Sequence, residues 1–259
     1  ATHEIEPDDV DAREALGLDY LDLGDNEKAI THYEHLIRIK PESHIALCNV
    51  GVAYGRLGDL EKEIEYYRKA VNANPEYSKA WYNLSYAYSK QGNLEKEIHA
   101  LKKAIEYNPE YSWALNNLGA ALIEAGNYGE AFRVLERVVS LEEGDALTYF
   151  NLGLIQNKMK NHEVAVEFYE ECLKKDPDNL KALINLGLSY NWTNKYQKGI
   201  KVAERSIEIE PNNVIALFIL GEAHLFLEHE EKAKHYLRKV LEINPHDEDA
   251  KEYLTQLED

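Results

Sequence analysis

Proline positions constrain this chain more than any other feature of its sequence. All seven prolines share one phase: their successive separations are 34, 34, 34, 68, 34 and 34 residues, and Glu143 stands at the one position that lacks a proline. A fixed period of 34 residues indicates an array of structural repeats, each stacking on its neighbours. We therefore expect one elongated domain rather than two separate globules.

Setting each repeat to end two residues after its proline divides the chain into seven units and two flanking segments. Residues 1–9 match the end of a repeat, because Glu4-Ile5-Glu6-Pro7 has the same pattern as Glu208-Ile209-Glu210-Pro211. With no initiator methionine, this predicts an excerpt from a longer protein. Residues 248–259 predict a charged helix that caps the last unit. The predicted repeats span residues 10–43, 44–77, 78–111, 112–145, 146–179, 180–213 and 214–247.

Each unit has the pattern of two helices. Apolar or small residues recur at helical spacing in the first half, as at Trp81, Leu84, Ser85 and Tyr88. A small residue at position 8 of a repeat allows the two helices to approach closely. Glycines that suit a left-handed helix end follow the first helix, and residues that can cap the second helix come next. These are Gly24, Gly58, Gly92 and Gly126, followed by Asp25, Asp59, Asn93 and Asn127.

The pattern Trp81…Leu84-Ser85…Tyr88…Ala104…Pro109 resembles the tetratricopeptide repeat family, and the resemblance covers residues 10–247. It implies an all-α, right-handed solenoid of seven helix-turn-helix units plus the C-terminal capping helix. It also implies that the first helices line a concave surface where ligands bind. Lys160 and Asn194 depart from the pattern, since they replace the glycine between the helices.

Position 6 of the first helix is asparagine in five successive repeats, and helical geometry places it on the face opposite the partner helices. An amide side chain matches the donor and acceptor of a peptide bond, so a row of asparagines can hold an extended chain by its backbone. The row resembles the asparagine ladder of the repeats attached to O-linked N-acetylglucosamine transferases and of kinesin light chains. Asparagine is also the family consensus here, so a purely structural role stays open. The row consists of Asn49, Asn83, Asn117, Asn151 and Asn185.

Aromatic and basic residues share this face of the first helices. Aromatic side chains in a row are typical of binding surfaces, although some could pack as core against the next repeat. Lysines there favour a peptide with some carboxylates, or are simply solvated. The predicted peptide-binding residues in this group are Tyr82, Tyr86, Trp113, Phe150, Lys79 and Lys181, and Lys90 lies on the same face.

Charge and motifs exclude several functions. Lys and Arg total 29 and Asp and Glu total 47, so the net charge of −18 disfavours binding to nucleic acid. Apolar runs are far too short for membrane insertion. No nucleophile, phosphate-loop or metal motif is present, and carboxylate pairs such as Glu95/Glu97 have the pattern of a solvated helix face. We expect no enzyme activity, no catalytic residue, no metal and no cofactor.

The sequence therefore predicts a protein–protein interaction scaffold that binds an extended peptide or partner segment in a concave groove. Two alternatives remain: a self-assembling scaffold that forms homo-oligomers, and the recruiting arm of a larger enzyme such as a glycosyltransferase. Two cysteines and no visible signal peptide predict a cytoplasmic location, provided that the N-terminus has not been trimmed.

Overall fold

The computed structural model describes residues 9–258, and within them every regular element is an α-helix. The prediction of an all-α chain is thereby confirmed; the predicted tail of a preceding repeat, 1–9, lies outside the described residues except for its last member. The helices are α1 (Val10–Asp22), α2 (Asn26–Ile39), α3 (His44–Leu57), α4 (Leu60–Ala73), α5 (Ser78–Lys90), α6 (Leu94–Tyr107), α7 (Ser112–Glu124), α8 (Tyr128–Ser140), α9 (Ala146–Lys158), α10 (His162–Lys175), α11 (Leu180–Trp192), α12 (Tyr196–Ile209), α13 (Val214–Phe226), α14 (Glu230–Ile243) and α15 (Glu248–Glu258).

Helix ends follow the local sequence signals. The four predicted glycines have φ between 72° and 81°, the left-handed region that ends a helix. Asp25, Asp59 and Asn93 each accept a hydrogen bond from the backbone N–H three residues on, at 3.1–3.2 Å. Asn127 was predicted to cap in the same way, but its side chain makes no such bond.

The described residues form two compact units that divide between Gly126 and Asn127. In the first unit, α1 pairs with α2, α3 with α4 and α5 with α6, and each second helix also contacts the first helix that follows it. In the second unit, α8 contacts α9, and the pairs α9–α10, α11–α12 and α13–α14 are joined in the same way. Within each unit, helices are therefore held by helices close to them in sequence, as expected for a repeat array.

Close packing inside a repeat depends on a missing side chain. A Cβ built on Gly51 would lie 2.7 Å from ring carbons of Tyr67, and one built on Gly153 would lie 2.6 Å from the Tyr169 ring. In these two repeats, the glycine at position 8 thus provides the space for a buried tyrosine at position 24. The predicted need for a small residue at position 8 is confirmed.

Helix α15 closes the end of the second unit. Its Ala250 and Leu254 are buried in one cluster with Leu217, Leu237 and Val240 of α13 and α14. The apolar face of the last repeat is therefore covered by the chain itself.

Candidate functional site

In the first unit, the asparagines at position 6 are half-buried and each donates one hydrogen bond to the scaffold. The Nδ2 of Asn49 lies 2.9 Å from the Tyr33 hydroxyl, that of Asn83 lies 3.4 Å from the Cys48 thiol, and that of Asn117 lies 3.3 Å from the Tyr82 hydroxyl. These bonds connect different helices, so the row contributes to stacking. An amide has a second N–H and a carbonyl oxygen, so one bond does not exhaust its capacity.

The asparagines of the second unit are placed differently. Asn151 is only 8% exposed, whereas Asn185 is half-buried and donates to the Lys181 carbonyl oxygen at 2.8 Å, one turn earlier on its own helix. The five residues share a register position but not an environment.

The predicted aromatic residues divide into two kinds. Tyr86 and Trp113 are 57% and 72% exposed, which is unusual for such large rings. Tyr82 and Phe150 are half-buried and support the scaffold: the Tyr82 ring lies 5.1 Å from that of Tyr111, and the Phe150 ring lies 5.9 Å from that of Tyr169.

The basic residues of this face are not equivalent. Lys79 and Lys181 are exposed, as expected. Lys90 instead forms an ion pair with the buried Glu63, so its charge is already balanced. Cys48 is buried, and burial raises the pKa of its thiol to about 11. The hydrogen bond from Asn83 and the charge of Lys79 oppose this rise.

A cavity of about 300 Å³ lies among α5, α6 and α7 of the first unit. It brings together two predicted site residues, Tyr86 and Asn117, with two carboxylates that the sequence analysis did not assign to a site. The sequence pattern predicts a solvated position for Glu97, but this residue is half-buried and lines the cavity together with residues of α5 and α7. The lining residues are Ser85, Tyr86, Ser89, Glu97, Asn117, Ala120, Ala121 and Glu124.

The cavity is acidic. Burial raises the pKa of Glu97, a hydrogen bond with Ser89 lowers it, and the nearby charge of Glu124 raises it further. The sequence does contain one indication of this site, at position 20 of the repeats. Two repeats have glutamate there, Glu63 and Glu97, whereas the other repeats have the small residues Ala or Gly.

The second unit exposes a different aromatic group. Trp192 and Phe226 are each 52% exposed. The Phe226 ring stacks on Tyr196 at 5.1 Å and meets the edge of Tyr253 of α15 at 6.5 Å. Helix α15 therefore packs against Phe226 through the ring of Tyr253.

Among residues 9–258, no three or more His, Cys, Asp or Glu side chains are grouped so that they could hold a metal ion. No helix in the same range is long and apolar enough to cross a membrane.

Three models described as tetratricopeptide repeat match this sequence. One matches residues 14–78, another residues 113–177, and the third residues 78–111, 180–213 and 214–247. Together they account for most of the chain. No curated protein matches the sequence.

Solved structures share the fold at low sequence identity. The crystal structure of YrrB, a TPR protein with an unusual peptide-binding site, is 22% identical over 71% of this chain and 95% of its own, with a TM-score of 0.66. PilF of Pseudomonas aeruginosa is 20% identical over 83% of this chain and 98% of its own, with a TM-score of 0.65. A crystal structure of MamA is 26% identical over 62% and 95% of the two chains, with a TM-score of 0.60.

Proposed function

Because this chain belongs to the tetratricopeptide repeat family of protein-interaction scaffolds, we propose that it binds an extended segment of a partner polypeptide along the first helices of its repeats. The observation that carries the proposal is the cavity of the first unit, where the amide of Asn117 and the exposed ring of Tyr86 line one space. A peptide-binding site in its structural relative YrrB is consistent with this use of the fold.

The chemistry of the surface supports backbone recognition combined with apolar anchoring. Each net hydrogen bond from an amide contributes about 1 kcal/mol, whereas micromolar affinity requires about 8 kcal/mol. The asparagines alone are therefore insufficient, and the exposed rings of Tyr86 and Trp113 supply the remaining contact area. In the proposal, Asn83 and Asn117 hold the peptide backbone, and the neighbouring rings hold its side chains.

The test is selection from a random library of peptides about 12 residues long, which is more than enough to span the three asparagine rows of the first unit. Affinity of a selected peptide is then measured by fluorescence anisotropy on the intact chain. Asn83→Ala and Asn117→Ala should each weaken binding about five-fold. Asn72→Ala, at an exposed position on the second helix α4, is the matched control and should leave affinity unchanged.

Thermal unfolding followed by circular dichroism shows whether each variant stays folded, since Asn83 and Asn117 also bond to the scaffold. Unchanged affinity in folded variants would refute the role of the row. If the library yields no peptide whose binding is weakened by Trp113→Ala, the result would argue against peptide recognition on this face.

Self-assembly is a second candidate. The half-exposed rings of Trp192 and Phe226 favour it, because exposed aromatic surface is available to another copy. Light scattering of the intact chain at increasing concentration distinguishes self-assembly from peptide binding by a monomer. A mass that stays at the monomer value at every concentration would rule out stable self-association.

A further inference from the structure

The junction between the second and third repeats contains a buried ion pair. The Nζ of Lys90 lies 2.7 Å and 3.0 Å from the two carboxylate oxygens of Glu63, which is only 3% exposed. Gly55 provides the space, since a Cβ there would lie 2.6 Å from the Glu63 carboxylate. A buried carboxylate requires such a partner, because desolvating an isolated charge is costly.

The next junction repeats this arrangement with the cation missing. Glu97 follows Glu63 by one period of 34 residues and Glu124 follows Lys90 by the same period, so a carboxylate stands where the ammonium-bearing residue stood. Ser89 replaces Gly55, and its side chain hydrogen-bonds to Glu97. In place of an internal ion pair, this junction has the open cavity of about 300 Å³.

We propose that this cavity binds a lysine or arginine side chain of the partner polypeptide. The positive group lies between Glu97 and Glu124, in the role that Lys90 plays for Glu63. The aliphatic part of the side chain lies against the ring of Tyr86, which already contacts one cation, since the Nζ of Lys90 is 4.9 Å from its centroid. The volume matches the lower end of the range for ligand pockets.

This inference rests on the proposed function, because the basic side chain belongs to a segment that runs along the same helices. It adds a specificity rule: the bound segment carries a basic residue at the point where it passes Asn117. The internal pair one repeat earlier argues for an organic cation, since the same carboxylate position is satisfied there by an ammonium group.

The test uses single-residue probes on the full chain, so it is independent of peptide selection. N-acetyl-lysine methylamide and N-acetyl-arginine methylamide are titrated against protein with carbon-13-labelled glutamate side chains. Both should shift the carboxyl resonances of Glu97 and Glu124 in the millimolar range, as expected for so small a contact. The uncharged N-acetyl-norleucine and N-acetyl-citrulline methylamides should leave these resonances unchanged. The proposal is overturned if the uncharged probes cause equal shifts, or if the lysine and arginine probes cause none.

Three variants sharpen the assignment. Glu97→Gln and Glu124→Gln should each weaken binding of the lysine probe about ten-fold, while Glu95→Gln, exposed on the same helix, should not change it. Glu124→Lys should rebuild the pair seen between Lys90 and Glu63, raise the melting temperature and abolish probe binding. If Glu124→Lys or both glutamine variants still bind the lysine probe, this cavity is excluded as the binding site. The effect of Asn83→Ala on the affinity of a selected peptide would still test the proposed function separately.

Discussion

A recurrent lysine–tyrosine contact explains one of the repeat's sequence preferences. The lysine at position 19 lies over the tyrosine ring at position 11, with 4.7–5.5 Å between Nζ and ring centroid. Where Leu122 and Gln156 replace the tyrosine, Glu130 and Val164 replace the lysine. Lysine thus occurs at position 19 wherever position 11 carries an aromatic ring, including Lys232 with His224 in repeat seven. This is expected if a cation stabilises a tyrosine ring face by about 0.5–1 kcal/mol. The pairs are Tyr20–Lys28, Tyr54–Lys62, Tyr88–Lys96 and Tyr190–Lys198.

Replacing Gly153 by alanine should destabilise the second unit. The new Cβ would lie 2.6 Å from the ring of Tyr169, which is fully buried, so either the ring or the helix must shift. The expected loss is about 1–3 kcal/mol of unfolding free energy, measured by urea denaturation. Gly129→Ala is the control in the same unit: nothing lies within 4 Å of its added Cβ, and helix propensity predicts a gain of up to about 1 kcal/mol. Equal effects of the two substitutions would contradict the close-packing explanation.

Stability should also depend on pH through His224, which stands at position 11 of the seventh repeat. Burial lowers its pKa, and the charges of Lys232 and His229 lower it further. The lowered pKa means that this ring holds fewer protons in the folded chain than in the unfolded chain, and its Nδ1 lies 3.1 Å from that of His229. Because the unfolded chain then binds more protons than the folded one, unfolding free energy should fall as pH decreases below about 6.5, the ordinary histidine value.

The pH effect is measured as the urea midpoint between mildly acidic and neutral pH. His224→Gln should flatten this dependence, and glutamine is accepted at the same position as the buried Gln156 in repeat five. His246→Gln, at an exposed residue, should leave the profile as it is in the unmodified chain. An unaltered slope in His224→Gln would assign the dependence to another group.

Helices end in the same left-handed conformation even where glycine is missing. Lys160, Asn194 and Glu228 have φ of 63°, 58° and 59°, close to the values of the four glycines. Packing of the two helices of a repeat therefore imposes this turn on residues that disfavour it. The predicted departures at Lys160 and Asn194 change the energy of the turn and leave its shape intact.

Glycine at these turns should stabilise the chain. Lys160→Gly and Glu228→Gly remove the steric cost of a left-handed non-glycine residue, which is about 1–2 kcal/mol before the entropy cost of glycine is subtracted. We expect a net gain of up to about 1 kcal/mol each, seen as a higher melting temperature. Lys201→Gly, in the exposed interior of α12, should instead lose about 1 kcal/mol. A loss in all three variants would show that the turn is not strained.

The period, the helices and their glycine ends were predictable because they depend on residues close in sequence or equivalent in every repeat. The surroundings of individual site residues were not. Asn151 has the same helical angle as Asn83, yet it is buried. A projection of a single helix contains no neighbouring helices, so it cannot predict the burial of one residue on that face. The acidic cavity was not predicted for a related reason: Glu97 and Glu124 lie on different repeats, and it is the packing of repeats that places them around one cavity with residues of α5.

Net charge and the cover provided by α15 both bear on whether copies of this chain associate. A net charge of −18 makes like molecules repel, and this repulsion weakens as salt screens it. It also attracts basic partners, in agreement with an acidic cavity in the first unit. Self-association must therefore depend on apolar surface that the array leaves uncovered, and α15 covers the end of the second unit.

Disturbing α15 should convert a monomer into an associating species. Leu254 is buried against Leu217 and Leu237, so Leu254→Ser should cost about 2–3 kcal/mol and loosen the helix from the last repeat. The intact chain should scatter light as a single species of 29.8 kDa, whereas the variant should show a mass that rises with concentration, more steeply at high salt. Thr255→Ser, on the exposed side of the same helix, is the control and should remain monomeric. A mass above that of the monomer for the unmodified chain would favour self-assembly instead. If Leu254→Ser remains monomeric, the cover that α15 provides is not what prevents self-association.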